Sequence, residues 1–222
     1  MTVRQLSEST EMYLKAMAEL DNGEAVSISR LAERLSVTPV SANEMVRRLG
    51  EQGLVLHTPY KGVNLTSSGR KVACNVVRRQ RLWECFLYDH LKLEWAQLYE
   101  LACSLEHATA PEVTDALAVF LGNPKTCPHG NPIPDENGSF PNVNSISLSE
   151  IPVGETVRVA SIRATSTEAL KHIQKLDLLP GREVTVLEAA PMDGPLMLRT
   201  AGKEIALGLL MAELIFVEPI SN

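Results

Sequence analysis

The chain has no apolar stretch long enough to cross a bilayer. Its longest apolar run, Ile205 to Val217, is interrupted by Glu213 and falls short of the ~20 residues a span needs. A leader is not visible either: the N-terminal MTVRQLSESTEMYL is polar and lacks an apolar h-region, so a cytoplasmic protein with no membrane partner is expected. Cysteine is scarce. Four residues (Cys74, Cys85, Cys103, Cys127) spread over 222 positions form no disulfide framework, and the expectation is mostly reduced, buried thiols. No Gly-rich phosphate loop appears. A net charge of −6 also seems to exclude nucleic acid, but the charge is unevenly placed. Residues 1–81 carry 12 Lys/Arg against 8 Asp/Glu, whereas residues 82–222 carry 9 against 19. A basic N-terminal module on an acidic body suits phosphate binding at one end.

What is present begins with three capped, amphipathic helical patterns. SESTEMYLKAMAEL, ISRLAERLSV and TPVSANEMVRRLGEQGLV follow one another, the last with Ala42, Met45, Val46 and Leu49 inward and Gly53 closing it. LVLHTPYKGVNLTSSGR then reads as two short strands about a Tyr-Lys-Gly turn. Helix, helix, turn, helix and hairpin is the order of a winged helix-turn-helix. A long helix from Arg70 to about His90 and two more in WAQLYELACSLEHA and APEVTDALAVFLGN form a helical middle part. Val76, Leu82, Cys85, Phe86 and Leu93 there supply more apolar surface than two helices bury, which points to a homodimer. A Pro/Gly/Asn-rich stretch follows, and from Ser147 to Pro219 short alternating strands suggest a small SH3-like β-barrel. The fold class is therefore mainly α with a β C-terminal part, in three domains: 1–73, 74–143 and 144–222.

Two constellations carry chemistry. Thr38, Val40, Ser41 and Glu44 lie at the N-terminal end of the third helix, where a helix in the major groove of double-stranded DNA presents side chains to base edges. Arg47, Arg48, Lys61 and Arg70 are placed for phosphates. A winged helix used for protein contact alone has the same pattern. The second constellation is Cys103, Glu106 and His107, which at i, i+3 and i+4 share one helix face. Thiolate, carboxylate and imidazole suit a mid-to-late first-row divalent ion. Spacing alone favours a buried Cys beside a solvated Glu-His helix end. In CPHGNPIP, the prolines and Gly130 favour a rigid structural turn over a ligand pair of Cys127 and His129. His57, His90 and His172 have no partner spacing.

TEMYLKAMAEL, the winged helix-turn-helix, VRRQRLWE, ACSLEH, CPHGNPIP and the SH3-like segment occur in that order. In this the chain resembles, over essentially its whole length, the diphtheria-toxin-repressor family of iron- and manganese-dependent regulators. Its last part is similar to ferrous-iron transport protein A. The resemblance implies a homodimeric repressor that binds operator DNA when metal-loaded, with a regulatory site of Met12, Cys103, Glu106 and His107. Met and Cys at those positions accompany Fe2+, and carboxylates accompany Mn2+, so Fe2+ is expected and Mn2+ is the alternative. The ancillary site departs from the family pattern. Glu84 is kept, but Gln80 and Tyr99 stand where histidines are expected, and Ser166 and Ala169 where the SH3-like domain adds a Glu and a Gln. The ancillary site is then either empty or rebuilt from groups such as Gln80, Glu84, Glu168 or His172. A metal-independent DNA-binding adaptor is the competing function. An enzyme is disfavoured, because Cys, Glu and His on one helical face leave little room for substrate.

Overall fold

The computed structural model describes residues 6–21, 23–59, 61–135, 138–139 and 144–220. Tyr60, of the expected hairpin turn, lies outside the described residues. The chain divides into two compact units, one of residues 1–79 with 134–141 and the other of residues 80–133 with 142–222.

The first unit opens with α1 (Glu8–Leu20), where the Ser7 hydroxyl accepts from the Thr10 amide and satisfies one orphan donor of the first turn. Ser27 caps α2 (Ile28–Arg34) in the same way, and Thr38 caps α3 (Pro39–Glu51), which starts on the proline. Between α2 and α3 the chain turns through Ser36 at φ 54. The C-cap is Gln52, and Gly53, expected as the cap, takes φ 70 one position beyond it. β1 (Val55–Thr58) and β2 (Gly62–Leu65) pair antiparallel as the wing, which Val26 joins through a bridge to Val63. Leu14, Met17, Leu31, Ala42, Val46, Leu49 and Val63 form the buried centre, with Met45 only partly buried. α4 (Ser67–Asp89) begins in this unit, three residues earlier than the sequence suggested. Its Arg79 pairs with Glu11 of α1 at 2.7 Å, both side chains mostly buried.

The second unit takes the rest of α4, a short 3-10 turn at Trp95–Gln97, α5 (Leu98–Glu106) and α6 (Pro111–Phe120). Its sheet contains β3 (Ile146–Ser147), β4 (Thr156–Ile162), β5 (Glu183–Ala189), β6 (Leu196–Thr200), β7 (Lys203–Leu207) and β8 (Ile215–Pro219). The strands are antiparallel in the order β3-β8-β4-β5-β6-β7, with α7 (Thr167–Lys175) and α8 (Leu209–Ala212) inserted between them. Register shifts at Val159/Ser161 and Val186/Glu188 bend β4 and β5, as a small SH3-like sheet requires. Val159, Ile162, Val184, Val186, Leu198, Ile215 and Val217 fill the sheet core together with Leu170 and Ile173 of α7. Leu98 and Ala102 of α5 and Trp95 belong to the same cluster, so the helix that carries the Cys-Glu-His face is packed directly on the sheet domain.

One expectation is corrected by burial. Val76, Leu82 and Cys85 lie inside the single chain, and Phe86 and Leu93 are half-buried, so these residues are not a free dimer face. Among the described residues, the large apolar side chains left exposed on the helical part include Tyr88, Leu91, Leu101, Val113, Val119 and Phe120. Phe120 packs on Phe86 and on His90, with ring centroids 6.0 and 4.8 Å apart.

Candidate metal centre and DNA-binding face

The last turn of α5 assembles the first cluster. Cys103, Glu106 and His107 each offer one ligand atom, and these lie within 4.8 Å of one another. The Cys103 thiol faces a Glu106 oxygen at 3.8 Å, and His107 Nε2 is 3.2 Å from the same oxygen. Glu106 is fully buried, Cys103 is half-buried and His107 is the C-cap of the helix. Burying a carboxylate is costly unless a charge or donor meets it, and the negative end of the helix dipole falls at the same place. Both favour a cation there, and the donor set of one thiolate, one carboxylate and one imidazole fits a first-row divalent ion. Met12, the further ligand implied by the resemblance, is a half-buried residue of α1 in the other unit.

A second cluster was not read as such from the sequence. Glu84 of α4 meets Cys127 and His129 of the CPHGNPIP segment, all three buried, again with ligand atoms within 4.8 Å of one another. The segment does form a tight turn: the Gly130 amide donates to the Cys127 carbonyl at 2.8 Å and the Cys127 amide to the Asn131 carbonyl at 3.0 Å. That turn presents His129 Nδ1 to Glu84 at 3.2 Å, while Nε2 faces the Trp95 carbonyl at 3.1 Å. A carbonyl only accepts, so Nε2 carries a proton, and Nδ1, which donates to Glu84 when the ring is charged, is the nitrogen a metal would take in place of that proton. The Trp95 indole stands edge-on to the imidazole at 4.6 Å and donates to the Pro128 carbonyl, which fixes the ring from its other side.

Charge in this cluster is strongly perturbed. Burial works to raise the Glu84 carboxyl, but the His129 charge, hydrogen bonds from His129 and Cys127 and the Arg81 guanidinium outweigh it and hold the group below the ordinary carboxylate range. The Cys127 thiol is pushed well up, first by burial and then by the Glu84 charge. Gln80, one turn before Glu84 on the same helix, is buried, and its amide nitrogen has no hydrogen-bond partner among the described residues. The groups expected from the SH3-like domain are not part of either cluster. Ser166 is used as the cap of α7, Ala169 has no donor atom, and Glu168 and His172 are exposed on α7. The available signal was the Cys-x-His spacing beside a retained Glu84. The prolines and Gly130 favour a turn, and the partner that completes the cluster, Glu84, stands 45 residues away in sequence.

The DNA-facing residues fall into two sets. Val40, Ser41, Glu44, Arg47 and Arg48 are all exposed on α3, opposite the buried Ala42, Val46 and Leu49. The Thr38 hydroxyl is engaged locally: it accepts from the Ser41 amide at 3.1 Å and lies 2.9 Å from the Ser41 hydroxyl, so both side chains also close the helix start. Lys61 is exposed on the wing. Arg70 is exposed and forms an ion pair with Asp21.

Three family models cover the chain in succession: the N-terminal DNA-binding domain of iron-dependent repressors (residues 5–63), their metal-binding and dimerisation domain (66–135) and the FeoA domain (146–219). The iron-dependent repressor IdeR of Mycobacterium tuberculosis is 30% identical over 231 residues, covering 98% of this chain and 100% of that protein. The diphtheria toxin repressor of Corynebacterium diphtheriae is 29% identical with the same coverage. Among solved structures, a manganese-dependent transcriptional repressor in complex with manganese superposes with a TM-score of 0.87 at 32% identity, covering 95% of this chain and all of that one. By these matches, which run the length of both its units, the chain belongs to the iron-dependent repressor family, the family of the diphtheria toxin repressor.

Proposed function

We propose that this protein is a homodimeric, metal-dependent transcriptional repressor that binds double-stranded operator DNA in its metal-loaded state and controls genes of metal homeostasis. The observation that carries the metal reading is the cluster on the last turn of α5, a buried Glu106 between a thiol and an imidazole at the negative end of a helix. Cys103, Glu106 and His107 hold the regulatory ion, with Met12 as a further ligand. Glu84, Cys127 and His129 hold a second ion, with the Gln80 side chain as an added donor. The ions supply positive charge and directional bonds that the donor groups lack on their own. The chain's contribution is to orient those groups: the Trp95 carbonyl holds His129 Nε2, and the α5 packing on the sheet holds Glu106 in place.

The domain division read from the sequence, 1–73, 74–143 and 144–222, is retained as part of this proposal. The three successive family-model spans support it. The occupant of the exposed face of Tyr88, Leu91, Val113, Val119 and Phe120 is a second copy of the chain, because the family model over this region is a dimerisation domain. No helix of the described residues is long and apolar enough to cross a membrane; cytoplasmic residence belongs to the proposal.

Fe2+ is the favoured ion, because thiolate and thioether are softer ligands than Mn2+ prefers. Mn2+ is the second reading, favoured by the 32% identical manganese-dependent repressor. The test is anaerobic fluorescence anisotropy of the metal-free protein on an inverted-repeat duplex, titrated with Fe2+ or Mn2+ and then with chelator. Tight binding with one ion, reversed by chelation, is expected. By linkage the same duplex must raise affinity for that ion by the same factor. Binding that ignores metal would instead make the protein a metal-independent adaptor, and a Met12→Ala protein with an unchanged metal response would remove Met12 from the ligand set.

A further inference from the structure

The reading face of α3 differs from the set of residues expected at its N-terminal end. Val40, Asn43, Glu44 and Arg47 stand at i, i+3, i+4 and i+7, all exposed, and their stripe runs directly opposite the buried line of Ala42, Val46 and Leu49. That spacing is the one by which a recognition helix of the homeodomain type touches base edges. Ser41 and Arg48 lie on one flank of the stripe, toward a groove wall. Arg47 forms an ion pair with Glu51 at 3.6 Å, one turn on along the same stripe. Carboxylates at Glu44 and Glu51 would be repelled by phosphate, so this line of the helix belongs over the groove floor and not against the backbone. The Arg47–Glu51 pair is solvent-exposed on both sides, at 73% and 64%, and such pairs are weak enough to open for a better partner.

Resting on the DNA-binding reading above, we propose that Arg47 and Asn43 are base-reading residues of this protein. The Arg47 guanidinium donates two parallel hydrogen bonds to guanine O6 and N7. The Asn43 amide accepts from N6 and donates to N7 of an adenine beside it. Arg48 and Lys61 contact phosphate. Ser41, whose hydroxyl lies beside that of Thr38, serves the helix start.

The full chain, loaded anaerobically with Fe2+ and in parallel with Mn2+, is used to select duplexes from a randomised pool. Affinities are then measured for the enriched duplex and for each of its single-base-pair substitutions, at several salt concentrations. Arg47→Ala is expected to lose roughly 5- to 150-fold on the enriched duplex, and to lose nothing further when one particular G·C pair is replaced. Asn43→Ala is expected to do the same at one A·T pair. Arg48→Ala is expected to weaken every duplex by a common factor and to lower the salt slope by about 1. Uniform weakening by Arg47→Ala, indistinguishable from Arg48→Ala, overturns the base-reading role while leaving DNA binding intact. A pool from which neither metal form enriches any duplex overturns the DNA-binding reading and this one with it.

Discussion

Gly130→Ala is the substitution on which the geometry speaks most directly. Gly130 sits at φ 79, and a Cβ built there would lie 2.1 Å from the backbone oxygen of Ala160 on β4. The left-handed conformation costs a side-chain-bearing residue about 1–2 kcal/mol. The clash is with backbone, so the turn must lift off β4. Two hydrogen bonds then open: Ile162 amide to His129 carbonyl at 2.8 Å, and Asn131 side-chain amide to Ile162 carbonyl at 2.7 Å. At about 1 kcal/mol each, the expected loss is ~3–4 kcal/mol. Gly122 is the matched control, since it has φ 73 with nothing within 4 Å of its Cβ position, so Gly122→Ala is expected to cost only the conformational ~1–2 kcal/mol. Urea unfolding followed by tryptophan fluorescence measures both, and Trp95, bonded to Pro128 and against His129, reports on the turn itself. Equal destabilisation of the two variants, within ~0.5 kcal/mol, would refute the claim that the CPHGN turn is locked on β4.

Three further outcomes are expected. Cys127→Ser should lower Co2+ stoichiometry from two ions per chain to one, leaving a thiolate-to-cobalt absorption band from Cys103; a retained second ion would remove Cys127 from the ligand set. Burial first, and then the Glu84 and Asp89 charges, push the Cys85 thiol from its ordinary 9.0 up to about 12. The folded value lies above the unfolded one, so the neutral thiol's contribution is full below pH 9 and declines as pH rises toward 12, at about 1.4 kcal/mol per unit. Cys85→Ala should therefore flatten the alkaline fall of the unfolding free energy by one proton, and an unchanged slope between pH 9 and 10.5 would contradict the burial argument. Thr38→Ala removes the α3 cap and should destabilise the protein by about 0.5–2 kcal/mol in thermal or urea unfolding; a loss of DNA affinity with unchanged stability would assign its hydroxyl to DNA instead.

Much of this molecule is written in local pattern. The caps Ser7, Ser27 and Thr38 and the inward Ala42, Val46 and Leu49 suffice to place the first three helices within a residue or two. Cys103, Glu106 and His107 converge because a single helix brings i, i+3 and i+4 together, whatever surrounds it. The two-residue β3 and four-residue α8 were not anticipated, since neither is long enough to show a period and both are held by neighbours. The apolar surplus on the helices was legible as a quantity. Its assignment to Val76, Leu82 and Cys85 failed, because which side of a helix meets another helix of the same chain is a matter of packing.

The sequence by itself determined the order of the elements, the helical Cys-Glu-His face and the exposed character of the recognition helix, because each depends only on periodicity and capping within a dozen residues. Only the tertiary structure decided that Glu84 meets Cys127 and His129, and that the turn carrying them is pinned to β4 through Gly130. That contact closes a loop of more than forty residues, and no local preference encodes it. It exists because burying Leu82 and Cys85 against Leu117, Ala118, Cys127 and Ile133 removes enough apolar surface from water to offset the entropy of closing the loop, and the polar cluster is carried in with them.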